Sequence, residues 1–160
     1  YKKRYILFYS YWHYCKTTYC IILMLIILVL LLIYFPATAA EIFGPYEAEV
    51  VRVVDGDTIA VKAFTYPGEI KLVNVRVDGV DTPELNGKCT KEKALAERAK
   101  KFTEDFVGQR IRLNNVKLGK FAGRIVADVE TLDGRLLDRA LIKAELGRFY
   151  DGGKRESWCP

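Results

Sequence analysis

Turn punctuation is the feature that most narrows what this chain can fold into. Asp55-Gly56, Tyr66-Pro67-Gly68 and Asp133-Gly134 interrupt β-rich stretches, and each ends a strand with residues that favour a tight backbone reversal. Glu47–Val54, Thr58–Phe64 and Ile70–Val77 therefore read as three short strands in succession. A hairpin centred near Pro67 sets Asp57 within a residue or two of the position opposite Val77, which brings it close to Arg76. Asp81 and Glu84 lie just beyond that same end. A helix follows over roughly Lys91–Val107, with Thr90 as the expected N-cap and Gly108 as the stop. Its Leu95, Ala99, Phe102 and Phe106 recur at spacings of four, three and four, which is an apolar stripe bound for the core. Arg110–Leu113 and Arg124–Thr131 read as two more strands, and Leu136–Leu146 as a second helix ended by Gly147. Five short strands in this order, with two to three helices, predict an α+β fold. Its centre is a small five-stranded closed barrel that leaves a ligand surface on one side.

The first forty residues are of another kind. They hold Lys2, Lys3, Arg4 and Lys16 and no acid, and Ile21–Phe35 is an unbroken apolar run, predicting a hydrophobic leader helix. At ~1.5 Å per residue this run spans about 22 Å, short of the roughly 30 Å hydrocarbon core of a bilayer. A basic start, a short apolar run and the exit Ala37-Thr38-Ala39 read as a secretory signal peptide. If retained, residues 21–35 would instead meet the membrane as an N-terminal anchor. Residues 1–40 are thus a leader and 41–160 the domain, exported in either case: secreted, periplasmic or tethered. Cys15 and Cys20 go with the leader. Cys89 and Cys159 remain, an even pair in an oxidising compartment, where a disulfide is the default and two buried thiols the alternative.

The leader also carries most of the charge imbalance. Without its four basic groups, 21 basic side chains face 20 acidic ones, so overall charge does not argue for a nucleic-acid partner. Local clustering would have to supply one, as in Arg110, Arg112, Lys117, Lys120 and Arg124. No long apolar stretch outside the leader suggests an obligate assembly, and a monomer is expected.

The chemistry left open to the domain is restricted. Its only histidine, His13, lies in the leader, which excludes an imidazole base or a His-ligated zinc. Carboxylates, guanidiniums and a hard cation remain. Asp57 and Asp81, short acids at strand ends, suit a cation that prefers oxygen. Pro83 keeps Thr82 extended, so the Thr82 carbonyl is free to be a third ligand. Glu84, on a longer arm, is placed to hold or deprotonate a water beside the metal. Arg76 and Arg124 offer planar forks for phosphate oxygens.

Val53-Val54-Asp55-Gly56-Asp57-Thr58, Val75-Arg76 through Asp81-Thr82-Pro83-Glu84, and Lys120-Phe121-Ala122-Gly123-Arg124 together resemble the staphylococcal nuclease (thermonuclease) family, as do Ala140-Leu141-Ile142 and Leu146-Gly147. The resemblance covers about Glu47–Tyr150. It implies an OB-type five-stranded barrel and Ca²⁺-dependent hydrolysis of DNA or RNA, with water attacking phosphorus. It also implies Asp57, Asp81 and the Thr82 carbonyl on calcium, Glu84 beside the attacking water, and Arg76 and Arg124 on the phosphate. One extra residue stands between Lys120 and Arg124 relative to the family's usual spacing. Phe121 and Tyr150 are candidates to stack on a base, with Lys120 a further candidate contact. The Tyr150–Arg155 tail, held through Cys159, is expected to close the mouth. The alternative is an OB module that binds nucleic acid or docks a protein at the cell surface without catalysis.

Overall fold

The first three β-rich segments pair as a meander, and the last two close the sheet into a barrel. The computed structural model describes residues 19–28, 30, 41–120 and 123–160, in two units, Tyr1–Ala39 and Ala40–Pro160. In the first unit, residues 19–28 are helical. Among the described residues no helix is long and apolar enough to cross a membrane. His13, Cys15, the Ala37-Thr38-Ala39 exit and much of the 21–35 run lie outside the described residues, and so does Phe121.

The second unit runs β1 (Tyr46–Asp55), β2 (Thr58–Tyr66), β3 (Glu69–Val77), β4 (Val80–Asp81), α1 (Thr90–Val107), β5 (Arg110–Leu118), β6 (Arg124–Thr131), α2 (Leu137–Lys143) and β7 (Arg148–Phe149). Five strands form a closed barrel in the order β1-β2-β3-β6-β5, while β4 and β7 pair beside it. All barrel pairs are antiparallel except β3–β6, which is parallel. That closure is compatible with an OB-fold, and the expected α+β barrel is what the chain forms. Strand alternation explains the interior: Ile59, Val61 and Ala63 point inward from β2, Val75 and Val77 from β3, and Ala127 and Val129 from β6, all buried. Leu137 and Leu141 of α2 and Ala99 of α1 complete one core with them.

Element ends differ from expectation for identifiable reasons. β5 runs on to Leu118 instead of stopping at Leu113. A register shift between Asn114 and Lys117 absorbs Asn115, whose φ of 50° an asparagine accepts. The N-cap of α1 is Cys89 and not Thr90, and its side chain makes no capping hydrogen bond. Glu92 compensates from the first turn, its Oε2 accepting the Lys88 N–H at 2.8 Å. On α1 the buried face is Ala96, Ala99, Thr103 and Val107; Leu95, Phe102 and Phe106 flank it, half-buried against the core. The helix rolls this way because small residues allow close approach to the Gly56 turn, where a Cβ would stand 2.8 Å from that of Ala99. Helix α2 ends at Lys143, three residues before the expected Leu146. Glu145 takes the left-handed turn (φ 58°) expected of a glycine. Gly147 serves a different need, since a Cβ there would lie 2.6 Å from Val80 Cγ2.

Candidate functional site at the barrel mouth

Three separated stretches bring their polar ends together beyond β1, β2 and β3. Opposite Asp57 stands Val77, whose N–H donates to the Asp57 carbonyl at 2.9 Å, as the hairpin register requires. Thr103 of α1, fully buried, donates its hydroxyl to the Gly56 carbonyl at 2.7 Å and so anchors the turn that presents Asp57. Asp57, Asp81 and Thr82 are 3%, 1% and 1% exposed. Buried acids of this kind persist only where cations and donors compensate their lost hydration.

The compensation is dense. Asp57 Oδ1 meets Arg76 Nη1 at 2.5 Å and accepts the Thr58 hydroxyl at 3.0 Å, while its Oδ2 accepts the Thr82 N–H at 3.0 Å. Arg76 Nη2 donates to the Val80 carbonyl at 3.2 Å and lies 3.6 Å from Asp81 Oδ1. The Arg76 guanidinium also sits 5.7 Å from the centre of the Tyr150 ring. Tyr150 is fixed there by its N–H to the Gly79 carbonyl at 3.0 Å and by its hydroxyl to the Gly153 carbonyl at 2.7 Å.

The remaining cations come from the end of the chain. Arg155 spans three acceptors: Nε against Asp81 Oδ1, Nη1 against Glu84 Oε1, and Nη2 donating to the Thr82 carbonyl at 2.9 Å. Arg148 Nη2 reaches Asp81 Oδ2 at 3.5 Å. Trp158 Nε1 donates to that same oxygen at 3.2 Å, and the Arg148 guanidinium lies 4.0 Å over the Trp158 ring. Cys89 and Cys159 stand at bonding distance, with S–S 2.19 Å and Cα–Cα 6.0 Å, so the expected pairing ties this tail to the start of α1.

Electrostatics divides the two outermost acids. Burial, with the Glu84 carboxylate close by, raises the Asp55 carboxyl to about 7. Burial works to raise Glu84 as well, but hydrogen bonds from Arg155 and Asp55 outweigh it and hold Glu84 below its usual range. Of these two neighbours, Asp55 is therefore the one that keeps its proton to higher pH and Glu84 the one that gives it up first.

The predicted residues do not all stand alike. Asp57, Arg76, Asp81, Thr82 and Glu84 converge, and Tyr150 joins them. Arg124 opens β6 in register with Asn74, two residues before the partner of Arg76, and is half-buried. By alternation it shares the outward face of Arg76. Lys120 donates to the Gly152 carbonyl at 3.3 Å, a tail contact. The basic cluster expected to hold nucleic acid is largely neutralised. Arg110 pairs with Glu47 at 3.0 Å, Arg112 with Glu130 at 3.4 Å and Lys117 with Asp78 at 2.9 Å. Sequence reasoning gave no individual role to Asp55, Arg148, Arg155 or Trp158, although the tail that carries Arg155 was expected to close the mouth. For the last three, the tether at Cys159 was the available signal, since it brings the final residues to the acidic loop.

The acids and cysteines among the described residues whose ligand atoms cluster closely enough to share a metal ion are Cys89, Glu92 and Cys159, and the two cysteines are spent on the disulfide. Asp57, Asp81 and Glu84 do not form such a group of three, so an ion there would rest on fewer side chains with the Thr82 carbonyl beside them. Among the described residues, Asp81 Oδ1 and Thr82 Oγ1 are the buried side-chain oxygens without a hydrogen-bond partner. Asp81 Oδ1 lies against two guanidiniums, yet neither aims a well-directed N–H at it. What this oxygen lacks is a directed hydrogen bond, not a counter-charge. No protein-family model matches the chain, and no curated protein matches it.

Proposed function

We propose that the barrel mouth is the active site of a metal-dependent phosphodiesterase of the staphylococcal nuclease type, which hydrolyses DNA or RNA outside the cytoplasm. One observation carries the reading. Asp57, Asp81, Glu84 and Arg76, drawn from three stretches of sequence, meet at a single partly buried centre where the barrel itself needs no charge. Pockets that concentrate buried ionisable groups in this way are where catalysis is found more often than chance allows.

The residue roles follow from the chemistry. Asp57, Asp81 and the Thr82 carbonyl would hold Ca²⁺. When bound, the cation lowers the pKa of its water and offsets charge on the phosphate. Glu84, kept ionised by its neighbours, can orient that water and accept its proton. Arg76, pinned between Asp57 and the Val80 carbonyl, presents its remaining N–H groups to a phosphate oxygen and stabilises charge that grows in the transition state. Arg124, which strand alternation puts on the outward face of β6, would be the second guanidinium. The Tyr150 ring supports Arg76 and offers a face to a nucleotide base, worth roughly 1–3 kcal/mol if it stacks.

A second reading, an OB module that binds without cutting, draws on one fact: the acids are already matched by Arg76, Arg148 and Arg155. A direct assay separates the two. The chain incubated with plasmid and single-stranded DNA is expected to cut both when Ca²⁺ is present and to stop when a chelator is added. Binding without cleavage at saturating Ca²⁺ would select the docking module, and cleavage that survives chelation would remove the metal from the scheme.

A further inference from the structure

Arg155 lies where the proposed function needs a cation. Its guanidinium touches Asp81, the Thr82 carbonyl and Glu84 together, which are two of the three groups assigned to Ca²⁺ and the one assigned to its water. We infer that the disulfide-tethered tail is an internal gate on this site, with Arg155 as an occupant that a divalent cation must displace. The inference rests on the metal-dependent reading above and adds its regulation.

Electrostatics favours the displacement. The carboxylates of Asp57, Asp81 and Glu84 face the guanidiniums of Arg76, Arg148 and Arg155, and Arg148 also meets Glu156 at 3.5 Å. A dication added among these acids, which are already matched by arginines, meets repulsion from the guanidiniums in a poorly solvated mouth unless one of them withdraws. Arg155 is the one placed to leave. Its side chain is 36% exposed, against 14% for Arg76 and 27% for Arg148. Arg76 belongs to β3 and Arg148 to β7, whereas Arg155 belongs to a stretch outside regular structure. Its withdrawal therefore breaks no strand pairing and opens no core.

The same tail is built to return. The Cys89–Cys159 bond anchors its far end. Arg148 holds its middle, donating to the Glu156 carbonyl, and to the Ser157 carbonyl at 3.3 Å. Trp158 bears on Asp81. Between these anchors Arg155 has only a short arc to travel, so its effective concentration at the acids is high. Beside it, an open cleft of about 880 Å³ lined by Glu84, Lys88, Lys154 and Trp158 gives the side chain somewhere to go.

Calorimetric titration of Ca²⁺ into the full chain and into Arg155→Gln tests the gate without reference to activity. The variant is expected to bind Ca²⁺ about tenfold more tightly, the factor imposed by an occupant that fills a site about nine-tenths of the time. In the unaltered chain, hydrogen exchange across residues 154–158 is expected to quicken as Ca²⁺ saturates. Equal or weaker binding by a folded Arg155→Gln chain overturns the gate and leaves the metal reading standing. Should the variant not fold, tail exchange unmoved by saturating Ca²⁺ in the unaltered chain overturns it. No Ca²⁺ uptake by either chain overturns both the gate and the metal reading.

Discussion

Replacing Asp57 with alanine is expected to lower Ca²⁺-dependent cleavage by about 10³-fold or more, the scale seen when a preorganised electrostatic element of a catalytic site is removed. Asp57 sits at the centre of the arrangement. One of its oxygens holds Arg76 and the other holds the Thr82 N–H, so its loss loosens the arginine and the segment that carries Asp81. Part of the effect is structural, because a buried N–H without a partner costs about 1–3 kcal/mol. Asp57→Asn separates the two contributions. Its amide oxygen can still accept from Thr82, while its NH2 group faces Arg76 and leaves that guanidinium short of its counter-charge. Part of the stability should therefore be kept relative to Asp57→Ala, while cleavage falls nearly as far. Initial rates on plasmid DNA, paired with thermal melts of each variant, check both. Cleavage within about threefold of the original in Asp57→Asn would mean that this carboxylate's charge has no part in the reaction.

The second large effect concerns the tether. Cys89 and Cys159 are 70 positions apart in sequence, and closing a loop of that size removes enough unfolded-chain entropy to stabilise the fold by up to about 4 kcal/mol. A Cys89→Ser, Cys159→Ser double variant is expected to unfold at a temperature roughly 10–20 °C lower, with the barrel's circular dichroism unchanged below the transition. The barrel should survive because neither cysteine belongs to its core, which is built from β1, β2, β3, β5 and β6 with α1 and α2 packed on it. A shift of less than about 1 kcal/mol in denaturant unfolding would show that the tail is already constrained without the bond.

Much of the fold was legible in the sequence because its turns are local and their chemistry is specific. Tyr66-Pro67-Gly68 sets the β2–β3 reversal, that reversal sets the register, and the register brings Thr58 opposite Arg76. From there Asp57, Arg76, Asp81 and Glu84 had to meet, since fewer than thirty residues separate them and three of those segments are held in one sheet or just beyond it. The β5 bulge was not legible, because Asn114-Asn115 reads as a break until a partner strand offers two ways to continue. The roll of α1 was hidden for a related reason. Phe102 and Phe106 look like the helix's core face by hydrophobicity, but the close approach to Gly56 is granted to Ala99 and Thr103.

The cationic half of the site was the least legible. Arg148, Arg155 and Trp158 reach Asp81 from 67, 74 and 77 positions away. No local periodicity connects them to the acids, and only folding closes that distance. The basic residues clustered in sequence, by contrast, are largely spent on Glu47, Glu130 and Asp78 along the barrel wall. Arg76 apart, the mouth draws its cations from the far end of the chain, while the basic cluster went to the scaffold.

The most direct measurement is anomalous diffraction from crystals of the full chain soaked in Tb³⁺, which takes the same oxygen ligands as Ca²⁺ and scatters strongly. One dominant peak between the carboxylates of Asp57 and Asp81, beside the Thr82 carbonyl, is the predicted result. Fully occupied Tb³⁺ elsewhere, with those two aspartates still bound only to arginine, would contradict it.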